Sequence, residues 1–371
     1  MTANRSRASR GALVMYVLVL SYASLNPLLG WQWPQALTLF VWPKYITAFD
    51  VIINTVAYMP LGGLLLVSLR RRALLLSTQH APTIAWCGAM VVGLGLSVAL
   101  ELLQSLLPWR VSSPLDVLTN TLGTALGATI LLLPPGRKTL AAMANWRARN
   151  FAHEPPVDWG LLLLAIWLVA QLNPAIPFFE AGLVAAPNAH DAAQLLPTTA
   201  YDPLILLPQV VGVTLNVTAF SLFVSLILHR KKRVLLNVGV ILTAGILAKL
   251  SMAALLLKAP LIAASLSPAT VIGVAAGFVL FVFLSKINYR WRAFWASLLV
   301  FAGGVMAKLS SVYSALDETL RLFNWPYGQL ANFASLTRWL NEIWPLAALV
   351  FLATIFIRGS IAPGGTKEQN G

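Results

Sequence analysis

Glu101, Gln104 and Arg110 lie close together at the end of a long apolar segment. A helix places Glu101 and Gln104, which are three residues apart, on one face. A carboxylate can act as a general acid or base, whereas a guanidinium can bind a phosphate or another carboxylate through two hydrogen bonds. If the segment crosses a membrane, the carboxylate costs on the order of 2.5–3.5 kcal/mol and needs a partner, a proton or water. These residues therefore predict a polar site.

A short motif occurs once before this segment and once after it. Asp50 precedes Asn54 by four residues, and Asp116 precedes Asn120 by the same interval. Capping of a helix N-terminus would explain the aspartates alone. The asparagines lie one turn deeper, where contact with lipid is costly, so we expect them to face the interior of a bundle. The predicted binding residues are Asp50, Asn54, Glu101, Gln104, Arg110, Asp116 and Asn120.

These residues also have a purely structural interpretation. Arg110 could neutralise Asp116, and the buried ion-pair network would then only fix the register of the helices. A functional site would instead leave part of the polar set open to a ligand at the membrane surface. The sequence alone leaves both interpretations open.

The sequence contains no recognisable metal-binding or nucleotide-binding motif. The chain has one cysteine, Cys87, and four scattered histidines, and their spacing matches no metal-binding motif. Neither a P-loop nor a dinucleotide-binding glycine motif is present. We therefore predict no metal and no other cofactor.

The composition predicts a polytopic membrane protein. Of the 371 residues, 58% are hydrophobic and 10% are charged, whereas a soluble domain has about 45–50% apolar and about 25% charged residues. Ten apolar stretches approach the length of about 20 residues that crosses a bilayer. They lie near 11–29, 51–69, 83–107, 115–133, 159–177, 209–228, 235–257, 268–285, 293–313 and 343–357. The predicted fold class is therefore all-α, a transmembrane helical bundle of about ten spans.

The basic residues predict the orientation of this bundle. If the N-terminus is cytoplasmic, 19 of the 26 lysines and arginines fall on cytoplasmic segments and 5 on the opposite side. The remaining two, Lys249 and Lys308, fall within predicted spans. Such asymmetry is typical of membrane proteins, so we predict that both termini are cytoplasmic. The net charge of +14 is thereby explained without a nucleic-acid partner.

A basic, proline-containing segment divides the predicted spans into two groups. Residues 134–158 are predicted to form a cytoplasmic linker between a four-span domain, 1–133, and a six-span unit, 159–371. The second unit could be a degenerate copy of the first with two extra spans, or an unrelated module. Lys249 is its candidate functional residue, and a structural lysine is the alternative.

Small residues in the first domain predict close packing of its helices. Gly62 follows Pro60 in the second span, and Gly123 and Gly127 are four residues apart in the fourth. Glycines at this spacing let helix backbones approach each other closely, and a proline frees a backbone carbonyl. We therefore assign these four residues to helix packing.

Taken together, these motifs resemble those of the VanZ-like family. The resemblance covers about residues 11–133. It rests on Asp50-x3-Asn54, Pro60-Leu61-Gly62, Glu101-x2-Gln104, Arg110 and Asp116-x3-Asn120-Thr121-x-Gly123-x3-Gly127. The family is named for a protein that is associated with low-level resistance to the glycopeptide teicoplanin. The resemblance therefore implies a multi-pass protein of the bacterial cytoplasmic membrane with a role in the cell envelope.

Three functions remain open from the sequence. In the first, an outer-leaflet pocket binds the headgroup of a lipid-linked cell-wall or polysaccharide precursor, or a glycopeptide, without catalysis. In the second, the protein is an enzyme that acts on a lipid-linked substrate through Glu101 or Asp116. In the third, the two units form a transporter or flippase that uses Lys249. Membrane lipids are the other expected partners.

Overall fold

The computed structural model describes most of the chain, and the part that it describes is helical. It covers residues 2–26, 28–33, 42, 46, 48–76, 79–108, 110, 112–152, 154–173, 178–179, 203–229, 233–256, 268–311 and 328–359. Within these residues there are eleven α-helices. They are α1 (Thr2–Leu25), α2 (Ala48–Leu76), α3 (Ala81–Gln104), α4 (Pro114–Leu132), α5 (Pro134–Asn150), α6 (Pro155–Ala170), α7 (Pro203–Ile227), α8 (Val234–Leu256), α9 (Pro268–Leu284), α10 (Tyr289–Ser311) and α11 (Gly328–Arg358).

The helices confirm the all-α class and the multi-span character of the chain. Six described helices are long and apolar enough to cross a membrane, and three more are apolar but shorter. Each of the ten predicted spans overlaps a helix, the ninth of them with α10. The number of ten spans and the orientation with both termini inside stay predictions.

The chain divides into two compact units. Unit 1 comprises Met1–Arg147 and Pro326–Leu336, and unit 2 comprises Ala148–Trp325 and Thr337–Gly371. Most of the predicted linker is helical, since α5 occupies 134–150 and α6 begins at Pro155. Proline favours the first position of a helix, where its missing N–H costs nothing. The assignment of the two units as functional domains stays a prediction.

In unit 1, α2 and α4 approach each other so closely that their backbones touch. A Cβ on Gly123 would collide with the main-chain carbonyl of Thr55, and one on Gly127 would collide with that of Met59. On the opposite helix, a Cβ on Gly62 would meet the carbonyl of Thr124. The backbones of α2 and α4 are therefore in close contact at these glycines, and α3 packs against both helices.

The proline inside α2 is accompanied by a hydrogen bond from α1. Pro60 is exposed and lies within the helix, where it cannot donate to the carbonyl four residues earlier. The hydroxyl of Tyr16 donates to the neighbouring carbonyl of Ala57, with 2.7 Å between the oxygens. Helix α1 is thereby attached to α2 at the proline.

We expect Tyr16→Phe to lower the free energy of unfolding by about 1 kcal/mol, the net contribution of one hydrogen bond. The ring and its packing remain, so the change isolates the hydroxyl. Chemical denaturation of the detergent-solubilised protein measures the difference. A variant as stable as the wild type would show that this bond contributes nothing to the attachment of α1.

In unit 2, α7 is the central helix and packs against α9 and α10. The core of unit 2 is rich in aromatic side chains. The ring of Trp167 stacks on that of Phe220 with centroids 4.0 Å apart, and Phe223 lies edge-on to Trp344 at 5.6 Å. The indole N–H of Trp344 donates to the carbonyl of Leu163 at 2.8 Å. This bond fixes α11 against α6.

Candidate functional site

The predicted polar residues gather at one end of unit 1, where α2 and α4 begin and α3 ends. Glu101, Gln104 and Asn120 are buried, and the others are partly buried. Hydrogen bonds connect the set to α1, α2, α3 and α4. We call this set, Asp50, Asn54, Glu101, Gln104, Arg110, Asp116 and Asn120, the polar end of unit 1.

Glu101 attaches the end of α3 to the beginning of α4. Its side chain is only 3% exposed, and Oε2 accepts a hydrogen bond from the backbone N–H of Ser113 at 2.8 Å. Ser113 caps α4, because its hydroxyl accepts from the N–H of Leu115. Pro114 follows at the first helical position. The carboxylate therefore holds the residue that starts the next helix.

One hydrogen bond joins the two copies of the Asp-x3-Asn motif. The amide of Asn54 donates to Oδ1 of Asp116 at 2.8 Å, which connects the first copy to the second. The amide of Asn120 does not make the equivalent bond. It donates instead to the hydroxyl of Ser97 on α3, at 2.9 Å.

Asn120 also presents a buried acceptor within the polar end. The residue is 7% exposed. In the described part of the chain, its side-chain carbonyl oxygen has no hydrogen-bond partner. A buried polar atom without a partner is rare and costs roughly 1–3 kcal/mol. This oxygen is therefore suited to accept a hydrogen bond from a ligand.

Arg110 is an electrostatic neighbour of the carboxylates, but it donates a hydrogen bond to another group. Its Nη2 donates to the main-chain carbonyl of Asn26 at 3.1 Å. Glu101 and Asp116 are its electrostatic neighbours, yet among the described residues no direct ion pair joins the guanidinium to either carboxylate. Burial lowers the pKa of Arg110, and the two carboxylates oppose that shift. An arginine nevertheless keeps its charge in a protein.

Gln104 is engaged by α1. Its amide donates to the main-chain carbonyl of Ser24 at 2.8 Å. Because Arg110 contacts Asn26 two residues later, both side chains hold the C-terminal end of α1 at the polar end. The side chain of Gln104 therefore helps to position α1 against α3.

Two further buried residues, which were not predicted from the sequence patterns, lie at the polar end. Tyr58 is 3% exposed and lies beside Ser97, Glu101 and Asp116. Ser97 is fully buried and accepts from Asn120. The spacing of four residues from Asn54 to Tyr58 placed the tyrosine on the same helix face, and was the available signal. Ser97 lies in an apolar stretch, and its sequence context carried no comparable signal.

Lys249 in unit 2 belongs to a buried hydrogen-bond network. The side chain is 1% exposed, and its ammonium donates to the main-chain carbonyl of Asn173 at 2.8 Å. The amide of Asn173 donates in turn to the hydroxyl of Thr337 at 3.0 Å. The network joins α8 and α11 to the chain that follows α6. The side chain of Lys308 lies outside the described residues.

The described residues contain no group of three histidine, cysteine, aspartate or glutamate side chains that could hold a metal ion. The absence of any cofactor stays a prediction.

The region that forms the polar end matches the sequence model of a known family. Residues 5–134 match the sequence model of the family described as VanZ/LLP1. No curated protein and no solved structure matches the chain. The matched region includes most of α1, all of α2, α3 and α4, and every residue of the polar end, and it confirms the resemblance found over residues 11–133. The chain is therefore a multi-pass integral membrane protein that carries a VanZ/LLP1-family domain over residues 5–134.

Proposed function

We propose that the polar end of unit 1 binds an anionic headgroup at the outer surface of the bacterial cytoplasmic membrane. The ligand class is the phosphate- or carboxylate-bearing headgroup of a lipid-linked cell-wall or polysaccharide precursor, or a glycopeptide such as teicoplanin. The domain match supports an integral membrane setting. The asymmetry of the basic residues supports an outward-facing polar end.

The observation that carries this proposal is the position of Arg110. One guanidinium nitrogen is bound to the carbonyl of Asn26, and arginine has five N–H donors. Because no carboxylate among the described residues is paired directly with it, the other donors can meet a ligand. Asp116 accepts a hydrogen bond from Asn54, and the absence, among the described residues, of a direct bond between Asp116 and the guanidinium supports a binding role for Arg110.

The remaining residues of the polar end would orient the ligand in its site. Glu101 and Asp116 are electrostatic neighbours of Arg110, so they would orient its side chain or accept hydrogen bonds from hydroxyl groups of the ligand next to the anionic group. The unpartnered oxygen of Asn120 would accept a hydroxyl or an N–H from a ligand that reaches into the bundle. Asp50 is partly buried at the beginning of α2 and would accept hydroxyls closer to the surface.

Arg110→Ala tests the proposal in cells. In a bacterial host, expression of the full chain is expected to raise the minimum inhibitory concentration of teicoplanin. Arg110→Ala should return it to that of the empty vector, because the anion contact is lost, while the amount of protein in the membrane stays the same. Arg70→Ala is the matched control, since Arg70 is exposed near the other end of α2.

Two outcomes would contradict parts of this proposal. A wild-type chain that leaves susceptibility unchanged would argue against a teicoplanin role. An Arg110→Ala variant that protects as well as the wild type would argue against the pocket itself.

An enzyme remains the second candidate, because Glu101 and Asp116 are close enough to interact electrostatically. A buried pair of carboxylates can divide the roles of general acid and base. Incubation of the purified chain with a lipid-linked precursor, followed by product analysis, distinguishes the two. Turnover that is lost in Glu101→Gln would favour the enzyme, and unchanged substrate would favour the binding protein.

A further inference from the structure

Unit 2 contains a cavity lined by two arginines, at the end where α8 and α10 begin and α9 ends. Its volume is about 510 Å³. The lining residues are Arg233, Val234, Leu235, Leu236, Ser285 and Arg292. None of them belongs to the polar end of unit 1. We call this space the basic cavity.

Arg292 is fixed in place on one side of the basic cavity. Its Nη1 donates to the hydroxyl of Ser225 at 3.3 Å, and its guanidinium carbon lies 5.6 Å from the centre of the Tyr289 ring. The hydroxyl of Tyr289 donates to the carbonyl of Leu226 at 3.1 Å. The guanidinium is thus positioned before a ligand arrives, which lowers the entropic cost of binding.

The other side of the basic cavity is the beginning of α8. Arg233 is exposed and immediately precedes the helix, and its carbonyl accepts the first helical bond, from the N–H of Asn237. The side chain of Asn237 donates to Asn150 at 3.2 Å, which anchors this turn. The first residues of α8 line the cavity, so the positive end of the helix dipole adds to the charge of the two arginines.

The charge and the apolar residues of the lining point to one kind of ligand. The lining residues that the structure describes include two guanidiniums and no acidic side chain. Like charges around one cavity repel each other, so an anion between them is favoured. Leu235 and Leu236 are 42% and 53% exposed beside the arginines. Charged donors next to exposed leucines match an anion that carries a hydrocarbon chain.

We propose that the basic cavity binds the phosphate of an anionic phospholipid, with Arg233 and Arg292 on the phosphate and the acyl chain along Leu235 and Leu236. A soluble phosphate ester offers the same headgroup chemistry without the chain. The lipid is the favoured source because the exposed leucines adjoin the arginines. The basic runs predicted to be cytoplasmic include Arg233, and anionic lipids attract such runs.

Native mass spectrometry of the detergent-solubilised full chain tests this site with three probes: phosphatidylglycerol, phosphatidylcholine and glycerol phosphate. The wild type should bind phosphatidylglycerol about tenfold more tightly than either of the other two. Arg233→Gln and Arg292→Gln should each lose about tenfold in affinity for phosphatidylglycerol, since each removes one charged hydrogen bond. Arg290→Gln is the matched control, because Arg290 is on the same helix and stacks on Phe356 at 4.7 Å.

We expect that only Arg233→Gln and Arg292→Gln lose affinity for phosphatidylglycerol. Equal affinity for phosphatidylcholine, or an equal loss in Arg290→Gln, would overturn the site. Glycerol phosphate that binds as tightly as the lipid would overturn the lipid as its occupant. If Arg292→Gln misfolds because its contacts to α7 are lost, Arg233→Gln decides, since the exposed Arg233 side chain can be changed without disturbing those contacts.

Discussion

Replacing Gly127 by leucine is expected to prevent unit 1 from assembling. A Cβ at this position would collide with the main-chain carbonyl of Met59, and a backbone atom cannot rotate away as a side chain can. The helices α2 and α4 would have to separate, at a cost on the order of 3 kcal/mol or more. The amount of full chain in the membrane and the thermal midpoint of the solubilised protein both measure the effect.

Gly95→Leu provides the matched control for that experiment. Gly95 lies in α3, and a Cβ there meets no atom within 4 Å. The same chemical change should therefore leave the level and stability of the protein close to those of the wild type. Equal behaviour of the two variants would contradict the direct contact between the backbones of α2 and α4.

Two substitutions of Glu101 are expected to separate its structural contribution from its charge. In the wild type, the carboxylate of Glu101 accepts a hydrogen bond from the N–H of Ser113 at 2.8 Å. Glu101→Leu removes this acceptor and leaves the N–H buried without a partner. We expect a loss of about 1–3 kcal/mol in the free energy of unfolding. Glu101→Gln keeps a side-chain oxygen that can accept the same bond, so most of the stability should remain.

Chemical denaturation of both variants beside the wild type checks this expectation. If Glu101→Leu is as stable as Glu101→Gln, the bond to Ser113 does not hold the beginning of α4. If both lose the same large amount, the negative charge itself, rather than the acceptor, stabilises unit 1. The glutamine variant is also the one to use in the turnover assay, because its fold should be preserved.

Much of the polar end could be predicted from the sequence because helical spacing decides which residues share a face. The intervals in Asp50-x3-Asn54 and Asp116-x3-Asn120 indicated inward-facing polar residues, and the bond between Asn54 and Asp116 lies within that set. The positions of Gly123 and Gly127 likewise pointed to the side of α4 that meets α2. These features depend on local periodicity.

The partners of these residues could not be predicted, because they depend on how separate helices pack. Spacing did not reveal that Asn120 bonds to Ser97. Nor did it reveal that Arg110 is held by the main-chain carbonyl of Asn26 instead of a carboxylate. Every residue has a main-chain carbonyl, so the residue type does not indicate which carbonyl will accept a hydrogen bond. Charged residue types do suggest ion pairs, and a prediction from sequence therefore overlooks contacts such as this one.

The predicted linker stays a prediction, and the structure adds the conformation of its first residues. The prolines and glycine at 134–136, together with four basic residues, indicated a connecting segment. The chain enters α5 at Pro134, because a proline is tolerated in the first turn of a helix. A Cβ on Gly136 would collide with the carbonyl of Ile130, so the glycine allows a close approach of the chain to the end of α4 and does not interrupt the helix.

The most direct test of the central claim is the affinity of the purified full chain for a prenyl diphosphate, measured by titration for the wild type and Arg110→Gln. The diphosphate presents the anionic headgroup that Arg110 is proposed to bind. Arg70→Gln and Arg290→Gln serve as controls that remove the same charge elsewhere. We predict that Arg110→Gln weakens binding at least about tenfold, whereas the controls stay within a factor of two to three of the wild type. Equal affinity in the wild type and Arg110→Gln would contradict a binding site at the polar end of unit 1.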